Sequence, residues 1–143
     1  MKFWDTSAIV PLCVDEPRSA IVKAILIQDP SIVVWWATRV ECISAFRRQT
    51  REKSLSVAGE RQAGQVLQAL CRTWTEVQPN EAVRELAQRL LSAHSLTAAD
   101  ALQLAAALQW CHRRTRDEFF VTFDARLREA ARKEGFTVTA DER

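Results

Sequence analysis

Glycine and proline are scarce: three and four in 143 residues. No stretch is rich enough in either to make a linker, and no segment is repeated or low in complexity. Apolar runs are short, and none approaches the ~18 residues that would span a bilayer. Asp5 interrupts the N-terminus before an apolar leader can form, so no signal peptide is expected and a cytoplasmic protein is. A strong charge of one sign is missing too. The formal net charge is +2, which by itself gives little reason to expect a nucleic-acid partner. No two cysteines form a C-x-x-C pair. Cys13, Cys42, Cys71 and Cys111 each sit among apolar neighbours, which favours reduced, buried thiols over zinc or disulfides. His94 and His112 share no ligand spacing and read as helix-end residues.

What is present is an ordinary globular mix, 48% apolar and 27% charged. The length suits one domain, residues 1–143, with a core that needs no staples. Strand-like runs alternate with helical patterns. Lys2–Trp4, Ser31–Trp35, Trp74–Gln78, Glu118–Phe123 and Phe136–Thr139 read as strands. Helices are expected over Ser7–Val14, from Pro17, and over Ala37–Glu52, Ser56–Arg72, Pro79 onward, Ala98–His112 and Ala125–Glu134. The run at Ala98 is apolar nearly all round and should be a central buried helix, its first turn included. This alternation predicts an α/β fold, a parallel sheet with helices on both faces. Ligands in such folds bind beyond the carboxyl ends of the strands, where strand order reverses.

Four acids fall at helix starts. Asp5 and Asp124 follow strands, and Glu41 and Asp100 stand in first turns. Taken singly, each suits a cap better than a ligand. Thr38-x-x-Glu41 and Thr97-x-x-Asp100 match capping boxes, and each cap would contribute about 1 kcal/mol. Taken together they point elsewhere. No Lys or Arg lies between Arg89 and Arg113, so the acids lack nearby cations in sequence. Carboxylates gathered on one rim repel each other, and magnesium or manganese is the simple remedy. The hydroxyls of Thr6, Ser7 and Thr122 would then orient the carboxylates by hydrogen bonding.

The stretches FWDTSAIV, TRVECISAF, TAADALQLAAA and VTFDARLREAA, in this order and spacing, resemble the four acidic motifs of PIN-domain ribonucleases. The VapC toxins of bacterial toxin–antitoxin pairs are the branch most similar. The resemblance covers essentially the whole chain. It implies a three-layer α/β/α sandwich with strand order 3-2-1-4-5, and Asp5, Glu41, Asp100 and Asp124 as the acids around one or two Mg2+ or Mn2+ ions. By the same resemblance, Asp5, Asp100 and Asp124 would ligate, Glu41 would position or deprotonate the attacking water, and an RNA phosphodiester would be hydrolysed. Translation would be inhibited. A homodimer and a VapB-type antitoxin are implied as partners, the latter able to insert a basic side chain among the acids. Trp4 is bulkier than the aliphatic residue the pattern has before its first acid.

RNA needs basic surroundings. Arg39, Arg47, Arg48, Arg51 and Lys53 cluster around the helix bearing Glu41, as a phosphate-contacting rim or as a solvated face. Arg113, Arg114 and Arg116 lie about 20 Å from Asp100 along its helix, where an exposed loop is the simpler reading. Of the five tryptophans, Trp4, Trp35, Trp74 and Trp110 suit the core. Trp36 follows a strand end near Glu41 and could line a substrate groove. Two alternatives stand beside the ribonuclease: a non-catalytic RNA- or protein-binding module whose acids are only caps, and a magnesium-dependent phosphatase, which would want a second Asp where Ser7 stands.

Overall fold

The computed structural model describes residues 1–139. Five short strands form its centre: β1 (Lys2–Trp4), β2 (Ile32–Trp35), β3 (Thr75–Val77), β4 (Phe119–Val121) and β5 (Thr137–Thr139). They pair in the order β3-β2-β1-β4-β5, all parallel. The helices are α1 (Thr6–Cys13), α2 (Ser19–Gln28), α3 (Thr38–Arg51), α4 (Val57–Cys71), α5 (Glu81–Ala93), α6 (Ala98–Trp110) and α7 (Ala125–Lys133). The expected fold class and strand order are both observed. Among the described residues no helix is long and apolar enough to cross a membrane.

Side chains alternate across a strand, and β1 shows the consequence. Phe3 points into a core shared with α5, α6 and α7. Trp4, its neighbour, points into the opposite core, formed with α1, α2, α3 and α4. Both residues are fully buried, so the bulk at Trp4 is absorbed by packing. β2 is buried along its whole length, which is why its sequence, IVVW, is continuously apolar rather than alternating. In α6 the alanines 101, 105, 106 and 107 are wholly buried, and such small side chains let the helix lie close to the sheet. Leu104 and Leu108 fill the remaining space, each burial stabilising by roughly 1.5–3 kcal/mol. Gly135 ends α7 at a φ of +102°, where glycine is the residue that fits without strain.

Three sequence expectations fail locally. Thr38 does not cap α3; it is already inside the helix, behind an N-cap at Ala37 that makes no side-chain bond. The Trp36–Ala37 turn delivers Thr38 inward, fully buried, where its hydroxyl accepts from Gln103 Nε2 at 3.0 Å. The first turn of α6 is not interior either. Thr97, Ala98 and Ala99 are exposed and Asp100 is half-buried, because burial begins only at Ala101. Trp74 also stands just outside β3, although it is buried and its Nε1 donates to Glu76 at 3.1 Å.

Candidate active site

The sheet reverses its strand order between β1 and β4. Asp5 follows the first of these strands and Asp124 lies just beyond the second. The Asp5 backbone N–H donates to the Val121 carbonyl at 3.1 Å and holds the two ends together. A web of hydroxyls tightens the junction. Ser7 Oγ donates to Asp5 Oδ1 at 2.8 Å and accepts from the Phe123 N–H at 2.9 Å. It also lies 3.3 Å from Thr122 Oγ1, which accepts from the Asp124 N–H at 3.0 Å.

Asp5 and Asp124 hold the same formal position, the N-cap of a helix, yet they behave differently. Asp124 caps α7: its Oδ1 accepts from the Leu127 N–H at 2.8 Å. Asp5 makes no cap bond, because its carboxylate is turned to Ser7 instead. It is 4% exposed, and burial pushes its carboxyl from 3.8 up to about 7. The hydrogen bonds of Ser7 and Thr122 offset part of that rise, and the charge of Asp100 adds to it.

Asp100 is positioned by a true cap: Thr97 Oγ1 accepts from its N–H at 3.2 Å. Its carboxyl is also raised, first by desolvation and then by the charge of Asp124, with Glu41 contributing; Thr97 and Arg126 act against the rise. Asp5, Asp100 and Asp124 line one open cleft of about 460 Å³ with Thr6, Ser7 and Arg48. Glu41 is not on that lining. Its Oε2 accepts from the Thr6 hydroxyl and from Gln103 Nε2, the latter at 2.7 Å. Thr6 thus serves Glu41, while Ser7 and Thr122 serve Asp5.

In chemical kind these donors suit a hard divalent cation: carboxylate oxygens, one of them on a buried group whose negative charge is disfavoured. In spacing they stand apart; among the described residues no three His, Cys, Asp or Glu side chains are close enough to hold an ion.

The basic residues divide. Arg48 reaches the cleft, whereas Arg47 turns away to Glu60 on α4, at 2.9 Å. Arg39 and Arg51 are exposed, and so is Trp36, at 50%. Arg113, Arg114 and Arg116 are exposed beyond the far end of α6. Three contributors escaped the sequence reading. Glu16 lines the cleft as a further acid, raised by its own burial against the pull of Arg18. Arg126, two residues after Asp124, supplies positive charge to Asp100. Gln103, one turn after Asp100, could have been noticed as the buried polar residue inside ALQLAAAL.

The histidines play no part here. His94 is the C-cap of α5 and meets Glu134 Oε2 at 2.7 Å, and His112 lies just past α6. All four cysteines are free, and burial pushes the Cys13 thiol up to about 12, so it is protonated and unreactive.

Comparison with known proteins gives the family and the fold. A family model described as PIN domain matches residues 2–133. No curated protein matches the chain in sequence. Among solved structures, VapC20 of Mycobacterium tuberculosis, a toxin that cleaves the sarcin-ricin loop, is similar with a TM-score of 0.66 at 17% identity; the match covers 96% of this chain and 97% of that one. PAE2754 of Pyrobaculum aerophilum gives 0.66 at 17%, covering 96% and 87%. FitAcB of Neisseria gonorrhoeae gives 0.65 at 20%, covering 96% and 96%.

Proposed function

The chain belongs to the PIN-domain family, and from that premise we propose that it is a one-domain, metal-dependent ribonuclease, the toxin of a VapC-type toxin–antitoxin pair. The observation that carries this reading is Asp5. A buried carboxyl at a strand-order reversal, on one cleft with Asp100 and Asp124, is poorly placed for stability and suited in kind to a cation. Asp5, Asp100 and Asp124 would hold Mg2+ or Mn2+. The bound ion would supply a positive charge for the phosphate oxygens and ease formation of hydroxide from water.

The chain's own groups do the rest. Ser7 and Thr122 keep the Asp5 carboxylate in one orientation. Glu41, behind Thr6 from the cleft, positions the attacking water or receives its proton. Arg48 borders the acids and would meet the backbone phosphates, with Arg39, Arg51 and Trp36 as outer contacts. Arg47 is a weaker candidate because Glu60 already holds it. The fold shared with VapC20 supports RNA as substrate, and translation as the process inhibited.

The similarity to FitAcB supports a protein partner of antitoxin type. So does exposed apolar surface on α3: Val40 and Ile43, one turn apart, are 67% and 45% exposed, and Trp36 in the turn before the helix is 50% exposed. The same surface is available to a second copy in a homodimer. Acting as a toxin on cellular RNA, the protein would work in the cytoplasm.

Cleavage of a single-stranded RNA should require added Mn2+ and stop with EDTA. Sequencing the new RNA ends would identify the site cut. Cleavage undiminished in EDTA would remove the metal from the account. No cleavage of any cellular RNA would favour a non-catalytic binding module.

A further inference from the structure

Gln103 is 1% exposed on α6, in a helix whose other buried residues are all Ala or Leu. Its Nε2 lies 2.7 Å from Glu41 Oε2, 3.0 Å from Thr6 Oγ1 and 3.0 Å from Thr38 Oγ1. An amide nitrogen carries two hydrogens, so three acceptors compete for them. The bond to the carboxylate is the shortest and is charge-assisted. The other end of the amide fares worse: Gln103 Oε1 is buried with no hydrogen-bond partner among the described residues. Reversing the amide would set that oxygen against the Glu41 carboxylate, acceptor against acceptor. The Glu41 charge therefore fixes which way the amide faces, and the orphaned oxygen is the consequence.

A Met of similar length would fill the site without an orphaned amide oxygen, but it would take the Nε2 donor away from the buried Thr38 hydroxyl and from Glu41. What the amide achieves is a link between three elements that carry acids. Thr6 follows Asp5, Thr38 and Glu41 belong to α3, and Gln103 stands one turn from Asp100. We propose that Gln103 is a positioning residue that fixes the Glu41 carboxylate relative to Asp5 and Asp100. This rests on the ribonuclease reading above.

The test compares the parent, Gln103→Met, Glu41→Gln, the double variant and Asp5→Asn. Melting temperature, Mn2+ affinity by calorimetry, and kcat and KM on one RNA are measured for each. Gln103→Met should remain folded, bind Mn2+ within about threefold of the parent, and keep KM within about twofold, while kcat falls about tenfold or more. In the Glu41→Gln background the same substitution should change kcat by less than about twofold, because the group it positions is already lost. A Gln103→Met protein with the parent kcat overturns the proposal. So does an equal loss of kcat in both backgrounds, or a loss of Mn2+ affinity matching that of kcat. Asp5→Asn separates the two levels. If it abolishes cleavage while Gln103→Met does not change it, the positioning role alone fails; if Asp5→Asn cleaves like the parent, the site reading fails and takes the proposal with it.

Discussion

Asparagine in place of Asp5 should raise the melting temperature of the metal-free protein by roughly 5–10 °C at pH 8, and change it by no more than ~2 °C at pH 4. The cause is the buried carboxyl, held at about 7 against an ordinary 3.8. Its folded value is raised, so between those two pH values the folded chain keeps a proton that the unfolded chain has released. The native state binds more protons there, and stability falls as pH rises through the window. Above pH 7 both states are ionised and the full penalty is present. A displacement from 3.8 to about 7 bounds the penalty at roughly 4 kcal/mol, and relaxation around the charge reduces it to about half. Asparagine is neutral throughout and still offers Ser7 an oxygen, so it escapes the penalty at pH 8 and gains nothing at pH 4. Saturating Mn2+ should stabilise the parent at pH 8 by about 2–4 kcal/mol and leave Asp5→Asn unmoved. Calorimetric scans at the two pH values check all of this. An Asp5→Asn protein that melts lower than the parent at pH 8 would show that the carboxylate is well accommodated without a metal. Stability given up at one residue that function needs is a familiar trade.

Phe120→Ala should lower stability by about 3–5 kcal/mol, a third or more of what a domain of this size has. Phe120 is fully buried in β4. Its ring stacks on Phe3 of β1 at 5.3 Å between centroids and meets Phe136 at 5.6 Å in a tilted contact. Truncation leaves a cavity between the two strands whose ends carry Asp5 and Asp124, so the site is undermined along with the core. The urea midpoint should fall by roughly 1.5–3 M. Ile27→Ala, at a residue 84% exposed, is the control and should stay within about 0.5 kcal/mol of the parent. A Phe120→Ala midpoint within ~0.5 M of the parent would mean that the aromatic stack does not hold β1 to β4.

The alternation of short apolar strands with helices was enough to predict the sheet, because parallel strands buried on both faces must read as unbroken apolar runs, as IVVW does. The placing of acids at strand ends was legible for the same reason: Asp5 follows β1 directly and Asp124 lies three residues past the end of β4. What escaped depended on contacts distant in sequence. Thr38 looked like a cap because local pattern cannot show that a turn at Trp36–Ala37 will aim it inward at Gln103. The apolar helix predicts Asp100 inside, but composition averages over a helix whose first turn is exposed. A cation that is missing near Asp100 in sequence is supplied in space by Arg126 from α7, and Arg48 from α3 lines the same cleft. Asp5 and Asp124 also show that equal position is not equal role. A serine two residues on draws the Asp5 carboxylate away from the helix it precedes, and Asp124 has no such rival.

These acids are proposed to form a metal-dependent centre for cutting RNA. Asp100 tests it best, since it is half-buried and its replacement leaves the core untouched. The measurement is the rate of single-stranded RNA cleavage in Mn2+ by the parent and by Asp100→Asn, both shown to be folded by their melting curves. The account predicts a loss of roughly a hundredfold or more at an unchanged or higher melting temperature. A folded Asp100→Asn protein that cleaves within about threefold of the parent would contradict it.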